Sequence, residues 1–262
     1  MKTFSCAALT ASALTATALA AFAGPATAAG RLADISVIDR DSGARLPAYF
    51  HAGEYWIAGR PGQRYLVQLC NRLPGRALAV VSVDGVNVLD GDTAGVDQPG
   101  YVYAPGECGT VDGWRKSQSQ VAAFEFSAVA DSYAARTGRA ANVGVIGIAV
   151  FSERISRREY AANGAQPPIA DLASAAPATP AARAAESARQ DLGTGHGSRE
   201  YSWVDYTTFT RASDRPDEIV RIRYGSEAQL VALGVIRRPR PAIEAPDPFP
   251  ASPLARFVPD PR

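Results

Sequence analysis

The pair Asp84-Gly85 stands alone between two apolar runs, one ending at Val83 and the other starting at Val86. A two-residue connection of this kind needs positive φ at both central positions, which Asp and Gly tolerate, so it predicts a tight β-hairpin. Just upstream, residues 65–71 (YLVQLCN) form a run with β-branched and aromatic members, stopped by Leu73-Pro74-Gly75. Residues 64–92 therefore read as three strands in an antiparallel meander. A chain organised on such a meander is a β protein.

The first residues belong to targeting. Met1-Lys2 is a minimal basic start, residues 4–22 are small and apolar without a charge, and Ala26-Thr27-Ala28 supplies a small-x-small cleavage signal. Residues 1–28 read as a signal peptide, which places the mature protein in the periplasm or outside the cell with no transmembrane segment left after its removal. Lys2 leaves with it, so 27 basic and 26 acidic residues become equal in number. That balance argues against nucleic acid as a partner. Lys116 is then the one remaining lysine; arginine carries almost all positive charge, through either anion recognition or coding bias. Two cysteines remain, Cys70 and Cys108, and an oxidising compartment makes them a disulfide pair.

Strand signals continue along the chain. Residues 33–39 (ADISVID) and 54–58 (EYWIA) precede the meander, and residues 100–104 (GYVYA) and 121–127 (VAAFEFS) follow it. Phe124 and Phe126 fall on one face and Glu125 on the other, the period of a half-buried strand. Residues 143–151 (VGVIGIAVF) read as a buried central strand whose interior glycines suggest a bulge or a bulky neighbour, such as a tryptophan, stacked on them. Residues 161–192 are an Ala/Pro-rich linker with a short helix possible after Pro180. Residues 199–211, 218–224 and 228–236 read as further strands, and residues 237–262 as an irregular Pro-rich tail.

About ten short strands separated by Gly, Pro and Asp turns predict an all-β fold, an antiparallel β-sandwich of jelly-roll or immunoglobulin-like type with one Ala/Pro-rich linker or short helix inserted. The main sandwich spans residues 29–160, and residues 193–236 add C-terminal strands that complete it rather than forming a separate sheet.

The fragments VSVDGVNVLDGD (residues 81–92), GYVYAPGE (100–107), GWRKS (113–117), VAAFEF (121–126), DSYAARTG (131–138), NVGVIGIAVF (142–151) and GTGHGSRE (193–200) together resemble a family of exported, β-rich proteobacterial proteins. The likeness covers most of residues 64–236 outside the linker. It implies a shared secreted β domain and carries no established activity, cofactor or site residue with it.

Candidate chemistry is sparse. With His51 and His196 as the two histidines and no G-x-S-x-G elbow, a nucleophilic triad has little to build on. Residues 193–200 (GTGHGSRE) could serve as an anion-binding or acid-base loop through His196 and Glu200, or simply as a helix stop leading into a strand. Asp90, Asp92 and Gly95 match positions one, three and six of a calcium loop, but Ala94 and Tyr101 occupy positions where ligands are wanted, so that Asp97 could contribute instead, and an ordinary solvated turn fits as well. Trp114-Arg115 could present a stacking surface for a sugar or peptide, or Trp114 could be core. No cofactor is indicated. The expected function is that of an exported, non-enzymatic module binding a protein or glycan of the envelope or exterior, with a secreted hydrolase using His196 and Glu200 as the alternative. The loops at residues 90–100 and 108–117, held by the meander, are where a site is expected.

Overall fold

The computed structural model describes residues 29–154 and 191–237. The signal-peptide reading of residues 1–28, most of the linker and its possible helix, and nearly all of the tail lie outside the described residues.

Thirteen strands build two facing sheets. They are β1 (Ala33–Asp39), β2 (Ala48–His51), β3 (Glu54–Gly59), β4 (Arg64–Asn71), β5 (Ala77–Val83), β6 (Val86–Asn87), β7 (Tyr101–Tyr103), β8 (Cys108–Val111), β9 (Gly113–Arg115), β10 (Gln120–Ala128), β11 (Val145–Ser152), β12 (Leu192–Tyr201) and β13 (Glu218–Ser226). One sheet runs β1-β4-β10-β12, with β8 paired to β4 and β9 to β10. The other runs β2-β3-β13-β11-β5-β6, with β7 paired to β5. The fold is thus an all-β sandwich, with one departure from a purely antiparallel arrangement: β13 runs parallel to β3. The last two strands enter different sheets, β12 beside β10 and β13 between β3 and β11.

Alternation along β4 sends Tyr65, Val67 and Leu69 inward, and β10 sends in Phe124 and Phe126. Tyr65 stacks on both phenylalanines at 5.3 and 4.3 Å between ring centroids, and Phe126 meets Tyr224 of β13 at 5.2 Å. Ile146, Ile148 and Val150 of β11 face them from the other sheet. Strand β5 is covered on both sides, since Leu78 and Val80 on its outer face join Ala149, Phe151 and Phe209 in a second apolar cluster. Sequence separation 38 is closed by the Cys70–Cys108 disulfide, a cross-strand link between paired positions of β4 and β8. In the chain-entropy model a loop of this size is worth about 4 kcal/mol. Cys108 therefore lies in a strand and not in the loop expected from sequence.

Three strand expectations are corrected. The run 228–236 lies in helix α2 (Glu227–Ala232) and its stop, and α1 (Tyr133–Arg136) is the other short α-helix among the described residues. Ser226 caps α2 by accepting from the Gln229 amide, while its own amide donates to Asp191 Oδ1 at 3.0 Å. Val235 N donates to Leu230 O and Gly234 N to Val231 O, a Schellman stop that uses the positive φ of Gly234. Leu230 and Val235 then bury against Trp56. In the run 199–211, β12 ends at Tyr201 and residues 202–210 carry no regular structure. Strand β6 stops at Asn87. No tryptophan stacks on the glycines of β11 either; a β-carbon on Gly147 would meet Ser82 Oγ at 2.7 Å, and the Gly144 amide has a different use.

That use is to bind Asp84. The hairpin turn has φ of +53° at Asp84 and +72° at Gly85, as its two-residue length requires. The carboxylate it turns inward is fully buried. Its Oδ1 accepts from Gly144 N at 2.8 Å and Tyr224 Oη at 2.5 Å, and its Oδ2 from Thr194 N at 2.8 Å. Thr194 Oγ1 lies 2.7 Å from both Tyr224 Oη and Tyr65 Oη. With Tyr224 donating to the carboxylate, the hydroxyls form a directed chain, Tyr65 to Thr194 to Tyr224 to Asp84, across the interface of the two sheets. Burial pushes the Asp84 carboxyl up to about 6, opposed by the bonds from Tyr224, Thr194 and Gly144.

A carboxyl whose pKa is higher in the folded than in the unfolded protein favours folding most when protonated. Its contribution is complete below about pH 4 and is lost as pH rises through 6, up to about 3 kcal/mol at 1.4 kcal/mol per unit. Urea denaturation of the protein and of Asp84→Asn between pH 4 and 7.5 should show this as a sloping difference between the two profiles. Parallel profiles would contradict it.

Candidate functional site

Beyond Tyr201 the chain leaves the sheet and crosses the surface as a strap, residues 202–210. Arginines fasten it. Arg115 donates to Ser202 O and, at 3.2 Å, to Tyr101 Oη. Arg76 donates to Thr207 Oγ1 and Thr208 O at 3.1 and 3.0 Å while pairing with Glu153 at 2.7 Å. Just past the strap, Arg211 covers the Phe151 ring at 4.3 Å and donates to Gln98 O. Backbone bonds Ser202 N to Ser119 O and Val204 N to Gln118 O complete the first anchor, with Ser202 Oγ donating to Asp112 Oδ2 at 3.0 Å.

Between the strap and strands β7 and β8 lies a groove of about 770 Å³. Tyr101, Tyr103, Glu107 and Asp112 form one side, and Trp203, Asp205 and Tyr206 the other. Trp203 is 54% exposed and Tyr206 89%, so both rings face solvent instead of the core. Trp203 Nε1 donates to Asp205 Oδ1 at 3.2 Å, which sets the indole plane. Tyr103 is buried in the floor; burial, with Tyr101, Glu107 and Asp112 nearby, pushes its hydroxyl well above the ordinary range. Burial also raises Tyr101, against the hydrogen bond from Arg115. Both phenols thus stay protonated and can donate. No Lys, Arg or His is among the described lining residues.

The residues singled out from sequence fall elsewhere, with one exception. Trp114 is core, 2% exposed, packed on Phe124 at 5.3 Å and Tyr133 at 4.9 Å. Arg115 does reach the groove, as the brace behind it. His196 and Glu200 do not converge. His196 pairs with Phe124 and Glu200 with Val121, an odd number of residues apart in β10, so the two leave opposite faces of the sheet. Glu200 is held by Arg40 and, at 3.2 Å, by Arg64. Asp90 Oδ1 accepts from Asp92 N at 2.9 Å in a local turn. Among the described residues no three His, Cys, Asp or Glu side chains gather where an ion could sit, and Asp97 is in no such group. The loops flanking the meander do contribute, through Pro99 and Gly100 and through Gly109, Thr110 and Asp112.

Trp203 and Tyr206 were hidden by the strand-like look of residues 199–211. The available signal was the spacing of Tyr201, Trp203, Tyr206 and Phe209, which abandons the period of two after Trp203.

Removing the Arg115 brace should free the strap. Arg115→Ala is expected to speed chymotryptic cleavage within residues 203–206 by roughly tenfold, the scale of a lost charged hydrogen bond, with the sandwich intact by circular dichroism. Unchanged cleavage would show that the backbone bonds and Arg76 suffice. No helix of the described residues is long and apolar enough to cross a membrane. Compared with family models, curated proteins and solved structures, the chain gives no match.

Proposed function

We propose that this protein is an exported, non-catalytic β-sandwich module that binds a glycan of the cell envelope or exterior in the groove beneath the strap. The observation that carries the reading is the pairing of exposed rings with neutral and acidic oxygens on the walls of one groove. A sugar unit presents an apolar C–H face and a rim of hydroxyls. Trp203 and Tyr206 offer flat faces to the first, while the Tyr103 hydroxyl, Asp112 and Glu107 offer donors and acceptors to the second. The absence of a cation among the described lining residues disfavours an anionic ligand. Export is supported by the leader-like first residues and by a disulfide of the kind oxidising compartments maintain. The binding reading is favoured over the hydrolase alternative because His196 and Glu200 stand on opposite faces and Glu200 is engaged by two arginines.

Glycan fragments of the envelope, titrated into the protein while following tryptophan fluorescence, provide the test. Binding should alter the Trp203 signal, and Trp203→Ala should weaken affinity at least tenfold, measured by calorimetry. A peptide partner would show as binding of peptides in place of sugars. Sugar binding indifferent to Trp203→Ala would place the ligand outside the groove.

A further inference from the structure

The Gly-rich run 195–200 (GHGSRE) has a second use, independent of the groove. In β10, Ala122 and Phe124 are two residues apart and both face the core, whereas their partners in β12, Arg199 and His196, are three apart. The extra residue is a β-bulge, and it turns His196 and Arg199 onto the same inner face of the sheet. Gly197 permits it, since a β-carbon there would stand 2.8 Å from the Ala123 carbonyl oxygen. Both side chains emerge exposed. Trp114 occupies the same cross-strand row from the other side, paired with Ala122.

On Trp114 rests the Tyr133 ring, and basic side chains surround that ring. His196 lies 6.0 Å from it between centroids, Lys116 Nζ 5.5 Å from its centroid and Arg139 Cζ 5.9 Å. None of Lys116, Arg139 and Arg199 takes part in an ion pair among the described residues. Burial lowers the His196 pKa, and Lys116 and Arg199 lower it further against backbone hydrogen bonds at His196 and Gly197. Burial and Arg199 lower that of Lys116. Every charge shifting these two groups is positive. The 3-10 turn Val129–Asp131, packed along β12, brings one exposed acid, Asp131, and α1 brings Tyr133 and the exposed Arg136.

We propose that Lys116 and His196, beside the Tyr133 ring, together with Arg199, which the bulge in β12 brings to the same face as His196, form a binding site for a phosphate-type oxyanion. A guanidinium offers two parallel donors, an ammonium a mobile point charge, and an imidazole a donor that gains strength on protonation. An anion there relieves the mutual repulsion that the fold leaves uncompensated. The phosphate can be free or carried on a lipid headgroup.

NMR titration of the two histidine rings tests the proposal, with His51 as internal control, in inorganic phosphate and in chloride at equal ionic strength. In phosphate the His196 pKa should rise by roughly one unit while His51 stays put. By linkage this corresponds to about tenfold tighter phosphate binding to the imidazolium form. Lys116→Gln combined with Arg199→Gln, both at exposed positions, should abolish the rise without changing the melting temperature. Identical His196 titrations in the two anions overturn the proposal, as does a rise that survives the double substitution. Co-sedimentation with phosphatidylglycerol vesicles but not phosphatidylcholine vesicles, lost in the double variant, assigns the phosphate to a lipid. A phosphate-dependent rise without sedimentation assigns it to a soluble ligand.

Discussion

A single buried carboxylate joins the two sheets. Asp84 is presented by a hairpin of one sheet, and its donors come from the start of β11, from β12 in the other sheet and from β13. Isolated burial of such a group would be costly, and three hydrogen bonds offset the penalty only while all three donors are in place. The carboxylate therefore specifies register: the turn, the glycine before β11 and Thr194 of β12 must all arrive at one point. Apolar packing around it, chiefly Tyr65, Phe124, Phe126 and Tyr224, supplies the bulk of the driving force but tolerates small shifts that the polar chain does not.

From that centre the parts proposed to bind ligands follow as departures from regular sheet. The strap begins where β12 leaves β10 and, with no strand partner, is fixed by arginine side chains and a few backbone bonds. The bulge four to five residues earlier redirects two side chains that regular alternation would have sent to opposite faces. One strand and its continuation thus provide two surfaces of opposite character, an uncharged-to-acidic aromatic groove and a cationic cluster.

Much of the architecture was legible in the chain. Asp84-Gly85, the alternating β4 and β10, the apolar β11 and the Cys70–Cys108 pair each announce themselves through local pattern, and the structure has them in a two-sheet sandwich. What failed did so for physical reasons. Residues 228–236 are apolar enough for a strand, and the Ser226 cap on the Gln229 amide decides otherwise by satisfying a helix end. Trp114 and Trp203 have similar neighbourhoods in sequence, and only tertiary packing determines that the first is covered by Tyr133 and the second is left in the open. Asp84 was readable as a turn residue, but its role as hydrogen-bond acceptor depends on residues as far as 140 positions away. The grouping of His196 with Arg199 in place of Glu200 depends on a bulge that no periodicity reveals.

The parallel pairing of β3 with β13 fixes the order in which the molecule can be completed. A chain made from its N-terminus delivers β1 to β11 first, yet the sheet that contains β3, β11 and β5 has a vacancy between β3 and β11 until β13 arrives. Tyr224 and Thr194, two of the three donors to Asp84, arrive in the same late portion. Without β12 and β13 the earlier strands have an unfilled slot and an unsatisfied acid, and the two late strands close both together.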